Sequence, residues 1–207
     1  MTTIVVEGLD FAGKSTVCEL VRQRLEASGT RVVESTSCLS GGWVEKTVER
    51  VYEARRLPSL LRSAVYHAAY LADVHLARRA GPGEVIVQQS YIHRVLAYDR
   101  ASGRRLLAAV ADRLGTRVAG HVDLWVWLDC PLDERRRRYR RFGTPNERDE
   151  RRFAAAADRF ERELESELTQ LARQSGYIFI DTASLSAETV ADRIAALVQA
   201  HERVGTR

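Results

Sequence analysis

No run of about 18 apolar residues occurs in this chain, so no membrane-spanning helix is expected. Cysteine is scarce. Cys18, Cys38 and Cys130 are an odd number and lack the spacing of a metal site, and no His/Cys cluster suggests zinc. This excludes a disulfide scaffold and is the pattern of reduced thiols in a cytoplasmic protein, with Cys18 read as a small packing residue. The first residues enter an apolar strand without the basic and apolar segments of a secretion signal, so secretion is not expected. There is no internal repeat and no low-complexity linker; Ala154 to Ala157 is a short helix-favouring run only.

What is present suits one well-cored domain spanning residues 1–207. The 207 residues are 45% hydrophobic and 29% charged, which argues against disorder. The net charge is +4, with a pI of about 9.2. A basic balance can mean nucleic acid. Here much of the positive charge sits in one segment, Arg135-Arg136-Arg137-Arg138-Tyr139-Arg140-Arg141, and a protein that handles a polyanionic nucleotide needs such charge in any case. Binding to a nucleic-acid polymer is the weaker reading.

Short apolar stretches alternate with helical ones. Strands are expected at 2–7, 31–34, 84–88, 122–128 and 177–180. Helices are expected at 14–27, 43–56, 59–80, 103–115, 132–142, 147–174 and 186–203. The alternation implies an α/β fold, a five-stranded parallel sheet with helices on both faces. Ligands in such sheets bind beyond the carboxyl ends of the strands, here near 8–16, 34–43, 88–98, 129–145 and 181–185.

The first of these stretches is a complete G-x-x-x-x-G-K-[ST] phosphate loop, Gly8-Leu9-Asp10-Phe11-Ala12-Gly13-Lys14-Ser15-Thr16, between a strand and a helix. Backbone amides of Asp10 to Thr16 and the helix N-terminus can wrap a phosphate chain. Lys14 can reach its outer phosphates and the Ser15 hydroxyl can ligate Mg²⁺. The motif implies ATP with Mg²⁺.

With its flanks, Val6-Glu7-Gly8-Leu9-Asp10-Phe11-Ala12-Gly13-Lys14-Ser15-Thr16 resembles the loop of thymidylate kinases, E-G-x-D-x-x-G-K-S-T. Leu128-Asp129-Cys130-Pro131 and the arginine run are similar to that family's strand end and lid, here about 132–150. Ile180-Asp181-Thr182 resembles its last strand end beside the adenine, and Ala97-Tyr98 also matches a family spacing. The resemblance implies a three-layer P-loop kinase with an Arg-rich lid that moves the γ-phosphoryl of ATP to a small acceptor. It implies that Asp10 helps orient the acceptor sugar. Phe11 stands where some members carry an arginine; members without it draw the charge from the lid, so Arg138, Arg140 and Arg141 are candidates, Arg138 first and Arg141 second. Four consecutive arginines cannot all face one site, so at least two are expected on a solvated face. A homodimer through the helices at 43–80 is implied by the resemblance alone.

The departures from the family pattern lie on the acceptor side. Where those enzymes place Asp-Arg after the third strand, this chain has Gln89-Ser90. A second arginine is replaced at Val74, and Glu34 to Trp43 stands in place of a Pro-Gly-Gly segment. An acceptor monophosphate carries about two charges near pH 7 and is matched by guanidinium forks. Either Arg94 or Arg62 substitutes, or the acceptor lacks a phosphate. The second option resembles the deoxyribonucleoside kinases, which keep a glutamate after the second strand as general base, at the place of Glu34. Trp43, Tyr70, Tyr91 and Tyr98 could wall an aromatic ring or pack the core, Trp125 and Trp127 pack the core, and His67 and His75 could touch substrate. Asp129 could assist Mg²⁺ or cap the lid helix. A nucleoside monophosphate kinase, a kinase of a non-nucleotide hydroxyl with Glu34 as base, and a non-catalytic nucleotide-binding module all remain open.

Overall fold

Val, Ile and Leu dominate the strands, and in the three central ones most of these side chains are buried, on both faces. In the computed structural model, which describes residues 2–35, 39, 42–53, 57–76, 80–115, 121–142, 153 and 158–205, five such strands form one parallel sheet. They are β1 (Thr2–Glu7), β2 (Arg31–Ser35), β3 (Glu84–Gln89), β4 (Leu124–Asp129) and β5 (Ile178–Asp181), in the order β2-β3-β1-β4-β5. Ile4 pairs with Val87 on one side and Leu124 on the other, which puts the ends of β1 and β3 side by side.

Eight helices are described: α1 (Lys14–Ala27), α2 (Gly42–Glu53), α3 (Ser59–Leu76), α4 (Ile92–Ala101), α5 (Arg105–Gly115), α6 (Leu132–Phe142), α7 (Asp158–Gln174) and α8 (Ala187–Gly205). Alternate strand residues separate two cores. Ile4, Val6, Val85, Val87, Val126 and Leu128 pack against α1 and α8. Val5, Ile86, Trp125 and Trp127 face the other layer, from which Val44, Tyr70, Leu96, Ala108 and Leu168 come. The α/β class expected from the alternation is the class observed.

One element differs. Residues 92–101 form α4, which no expected helix covered. Its buried side chains, Ile92, His93, Leu96, Ala97 and Asp99, lie on a helical stripe that two polar members interrupt. Both are satisfied locally. The His93 ring bonds the Tyr177 hydroxyl at 2.8 Å, and Asp99 accepts from Arg104 at 2.8 Å and from Ser63. The expected lid beyond 142, the stretches 36–38 and 40–41, and the side chains of Val74 and His75 lie outside the described residues.

Candidate active site: the phosphate loop and its two arginines

β1 ends in a buried acid. Glu7 is 0% exposed, and its carboxylate accepts bonds from the Gly8 amide at 3.0 Å, the Ser90 hydroxyl at 2.9 Å and the Tyr91 amide at 3.1 Å. Arg94, from the first turn of α4, adds its Nε at 3.2 Å and Nη2 at 2.9 Å. Burial pushes the Glu7 carboxyl up, but Arg94, Lys14 and the Gly8 amide outweigh it and hold the group below its usual value. Arg94 also reaches Asp10 through Nη1 at 3.0 Å and the Gly8 carbonyl through Nη2. Glu7 thus ties together the end of β1, the turn after β3 and the start of α4. Ser90 takes part with φ of 58°, a left-handed conformation that costs a serine strain and aims its hydroxyl inward.

The loop lies above this cluster. Gly8 passes β4 so closely that a Cβ would sit 2.9 Å from the Leu128 carbonyl oxygen, and Gly13, with φ of 97°, opens α1 without a side-chain cap. Lys14 Nζ is folded back on the Gly8 and Leu9 carbonyls at 2.7 and 3.0 Å, with Asp10 at 3.9 Å. Burial pushes its amine down to about 7, Arg94 adds to this, and Glu7 opposes it. Ser15 Oγ donates to Gln89 Oε1 at 3.0 Å.

On the far side of the loop stands Arg138 of α6. Its Nη1 donates to the carbonyls of Ala12 at 3.1 Å and Phe11 at 3.5 Å, its Nη2 to the Thr182 carbonyl, and its Nε to Glu134 at 2.9 Å. Thr182 closes the circuit, its hydroxyl donating to Ala12 and Asp129 carbonyls at 3.2 and 3.0 Å. Phe11 adopts φ of 64°, and its ring packs edge-on against Tyr139 at 5.2 Å and Phe153 at 5.4 Å, which stack on each other at 5.0 Å. An aromatic clasp therefore fastens the loop to α6.

The other expected site residues divide. Asp10, Lys14, Ser15, Gln89, Arg94, Arg138 and Thr182 are brought together. Thr16 is exposed on the first turn of α1. Asp181 binds its own turn, accepting from the Ala183 amide at 2.7 Å and the Ser184 hydroxyl at 2.6 Å. Glu34 is not brought to the loop. It follows Val32 on the face toward α1, and its carboxylate lies 3.7 Å from Arg22. Tyr70 is core, edge-on to Tyr91 at 5.3 Å. Trp43 is 64% exposed on α2, and Tyr98 packs on Phe160 at 5.2 Å. Asp129 accepts from the Trp127 indole at 3.3 Å. His67 is buried against Asp99 at 2.7 Å. Arg141 is exposed and lies over the Phe142 ring.

The arginine run divides: Arg137, Arg140 and Arg141 are exposed, but Arg135 and Arg136 are not the solvated residues that a charge run suggests. Arg135 is fully buried, its guanidinium 3.3 Å from both Glu161 and Glu165 of α7. Arg136 pairs with Asp158 at the start of α7, and Arg137 and Arg138 both pair with Glu134. A free guanidinium has no place in a core, but one between two carboxylates does. Sequence reading missed Glu7 and Glu134. The spacing Glu134 to Arg138, acid four residues before base on a helix, was a readable signal for the second. Glu7 carried only its place at the head of the E-G-x-D-x-x-G-K-S-T resemblance, which assigns it no partner; an acid at the end of an apolar strand otherwise looks exposed.

The family model for thymidylate kinase matches residues 6–194. A thymidylate kinase of Xanthomonas campestris pv. campestris is 32% identical over 133 residues, which span 62% of this chain and 56% of that protein. A probable thymidylate kinase of Thermococcus gammatolerans is 30% identical over 145 residues, 65% of this chain and 68% of that protein. The chain thus spans little more than half the length of the Xanthomonas relatives it matches. The solved thymidylate kinase structure from Candida albicans superposes with a TM-score of 0.69 at 17% identity, covering 97% of this chain and 92% of that one, a likeness of fold. With the loop, the lid helix and the sheet order already in place, the match over residues 6–194 establishes that this chain belongs to the thymidylate kinase family.

Proposed function

We propose that this chain is an ATP-dependent kinase that moves the γ-phosphoryl group of ATP to a nucleoside monophosphate, thymidine monophosphate first among them. The observation that carries the reading is a phosphate loop with a guanidinium on each side: Arg138 on the flank toward Thr182, and Arg94 on the flank toward α4. An acceptor phosphate oxygen attacks the γ-phosphorus in line, and ADP leaves. Phosphoryl transfer is mainly positioning and neutralisation of charge on the moving group. Lys14 supplies charge along the donor phosphates once they displace its two carbonyl contacts. Arg138 supplies it from the lid, and Arg94 and Asp10 border the acceptor side. An acceptor that is already anionic needs no base, which agrees with Glu34 lying toward α1 and with Glu7 and Asp10 both held by Arg94.

The residues present fit Mg²⁺. The Ser15 hydroxyl and the Gln89 carbonyl are hard oxygens 3.0 Å apart at the loop's end, and this ion takes few protein ligands when phosphates and water supply the rest. When bound, it neutralises charge on the β and γ phosphates. Trp43, Leu60 and Leu61, at 64%, 59% and 50% exposure on α2 and α3, support a homodimer through these helices. Two buried free cysteines, Cys18 and Cys130, suit a cytoplasmic setting, and among the described residues no helix is long and apolar enough to cross a membrane.

The test is turnover of purified protein with Mg²⁺–ATP against thymidine monophosphate, other nucleoside monophosphates and free nucleosides, with products weighed by mass spectrometry. Gain of one phosphate on a monophosphate, lost in Lys14→Ala, is expected. Gain on nucleosides alone, or acceptor-independent hydrolysis alone, refutes the reading.

A further inference from the structure

The corner of the loop that would meet a metal is uncharged on the protein's side. The side chain that closes β3 and faces the Ser15 hydroxyl is an amide, Gln89, bonded at 3.0 Å. The nearby acids are engaged elsewhere. Glu7 and Asp10 are held by Arg94, Glu34 lies beside Arg22, Asp129 takes the Trp127 indole, and Asp181 binds its own turn. Among the described residues no three of His, Cys, Asp or Glu converge as metal ligands. P-loop enzymes ordinarily pair the loop hydroxyl with a carboxylate at this corner.

Replacing that carboxylate by an amide changes a binding linkage. A fixed carboxylate beside the loop repels a bare polyphosphate, and the metal relieves the repulsion by bridging the two. Nucleotide binding then needs metal. An amide exerts no such repulsion. The cations around the loop are Lys14, Arg94 and Arg138, with the N-terminus of α1; Arg94 balances Glu7 and Asp10, and on the Ser15 side the chain presents an amide rather than a carboxylate. We infer that Gln89 lets this loop take up ATP nearly as well without a divalent cation as with one, since the chain adds only the neutral oxygens of Ser15 and Gln89 to what the nucleotide's own phosphates offer the metal. The inference rests on the ATP-binding reading above and concerns the order of binding rather than the reaction.

The test is calorimetric titration of ATP into the intact protein, once in EDTA and once in excess Mg²⁺, for the unaltered chain, Gln89→Glu and Gln89→Asp. Gln89→Glu keeps the length of the side chain and its acceptor oxygen toward Ser15. Gln89→Asp withdraws the carboxylate by one carbon and serves if the longer acid fails to fold, which a thermal melt reports. For the unaltered chain the two dissociation constants should agree within about threefold, and either acid should weaken metal-free ATP about tenfold or more, about 1.4 kcal/mol, so that the ratio of the metal-free to the Mg²⁺–ATP dissociation constant rises by at least that factor. An unaltered chain whose ATP binding collapses in EDTA overturns the inference and leaves the kinase reading standing. So does an acid variant that binds metal-free ATP as tightly as the amide. An unaltered chain that binds ATP in neither buffer overturns the kinase reading and the inference together.

Discussion

Replacing Arg94 by methionine should strand a buried charge. Glu7 is 0% exposed and receives two of its five hydrogen bonds from the Arg94 guanidinium. Methionine keeps much of the volume and removes the cation. Breaking a buried pair by deleting one partner typically costs about 3–5 kcal/mol; because the Arg94 side chain is 22% exposed, the low end, about 3 kcal/mol, applies. For a chain of this length that is about 6–12 °C in Tm.

The pH dependence carries the sharper test. In the unaltered protein the Glu7 carboxyl lies below its usual value, so its contribution is present above the unfolded pKa and is lost as pH falls through the lower folded one. Without Arg94, burial is opposed only by Lys14 and the Gly8 amide among the named influences, and the folded pKa is expected to rise above the unfolded one. The variant then pays an increasing penalty as pH rises through that raised value. The deficit against the unaltered protein should therefore be largest near pH 8 and shrink toward pH 5. Glu7→Gln in the same chain removes the charge and should recover most of the loss. Thermal unfolding of the four members of this cycle at several pH values measures all of it. A deficit under about 1 kcal/mol, or one equal at pH 5 and pH 8, refutes the assignment of Arg94 as the partner that keeps Glu7 ionised.

Lys14, with its amine at about 7 in the empty loop, should take up a proton as phosphate restores its charge. At pH 7 ATP binding should absorb about half a proton, read as a heat that depends on buffer ionisation enthalpy, and a buffer-independent heat contradicts this. Arg138→Ala should lower kcat by about 10³-fold or more, whereas Arg141→Ala, at an exposed residue held over the Phe142 ring, should stay within about twofold; equal effects would mean that the lid is read in the wrong register. Glu34→Gln should leave turnover within about twofold, since the residue holds only a partly exposed pair with Arg22, and a hundredfold loss would restore it as a base.

The loop was legible because it is local: nine consecutive residues dictate a strand end, a turn and a helix start. The sheet was legible because each strand is apolar on both faces. That same property hid the direction of Glu34. With Val32 and Val33 both partly buried, on opposite sides, nothing in β2 says which face an acid at 34 shares. The role of Arg135 was hidden for another reason. A run of arginines has no face until its partners are known, and Glu161 and Glu165 lie 26 and 30 residues away on α7. α4 was missed because His93 and Asp99 look like surface residues until Tyr177, Ser63 and Arg104 arrive to satisfy them.

These pairings decide which parts of the site can move separately. The α4 flank is joined to the loop by charge: Glu7, Arg94, Asp10 and Lys14 alternate in sign, and separating Arg94 from Glu7 would take the guanidinium away from a fully buried carboxylate. The α6 flank is joined by weaker ties, two loop carbonyls and that of Thr182 bonded to Arg138 and an edge-on aromatic clasp at Phe11, while Arg135 and Arg136 anchor α6 to α7. Carbonyl contacts can be exchanged for phosphate oxygens without stranding a charge; the Glu7 pair cannot. Nucleotide entry should therefore displace Arg138 and Lys14 from their carbonyls while α4 stays fixed to β1. On the proposed kinase reading, the rigid cation stands on the acceptor side and the exchangeable cations where the donor's phosphates would arrive.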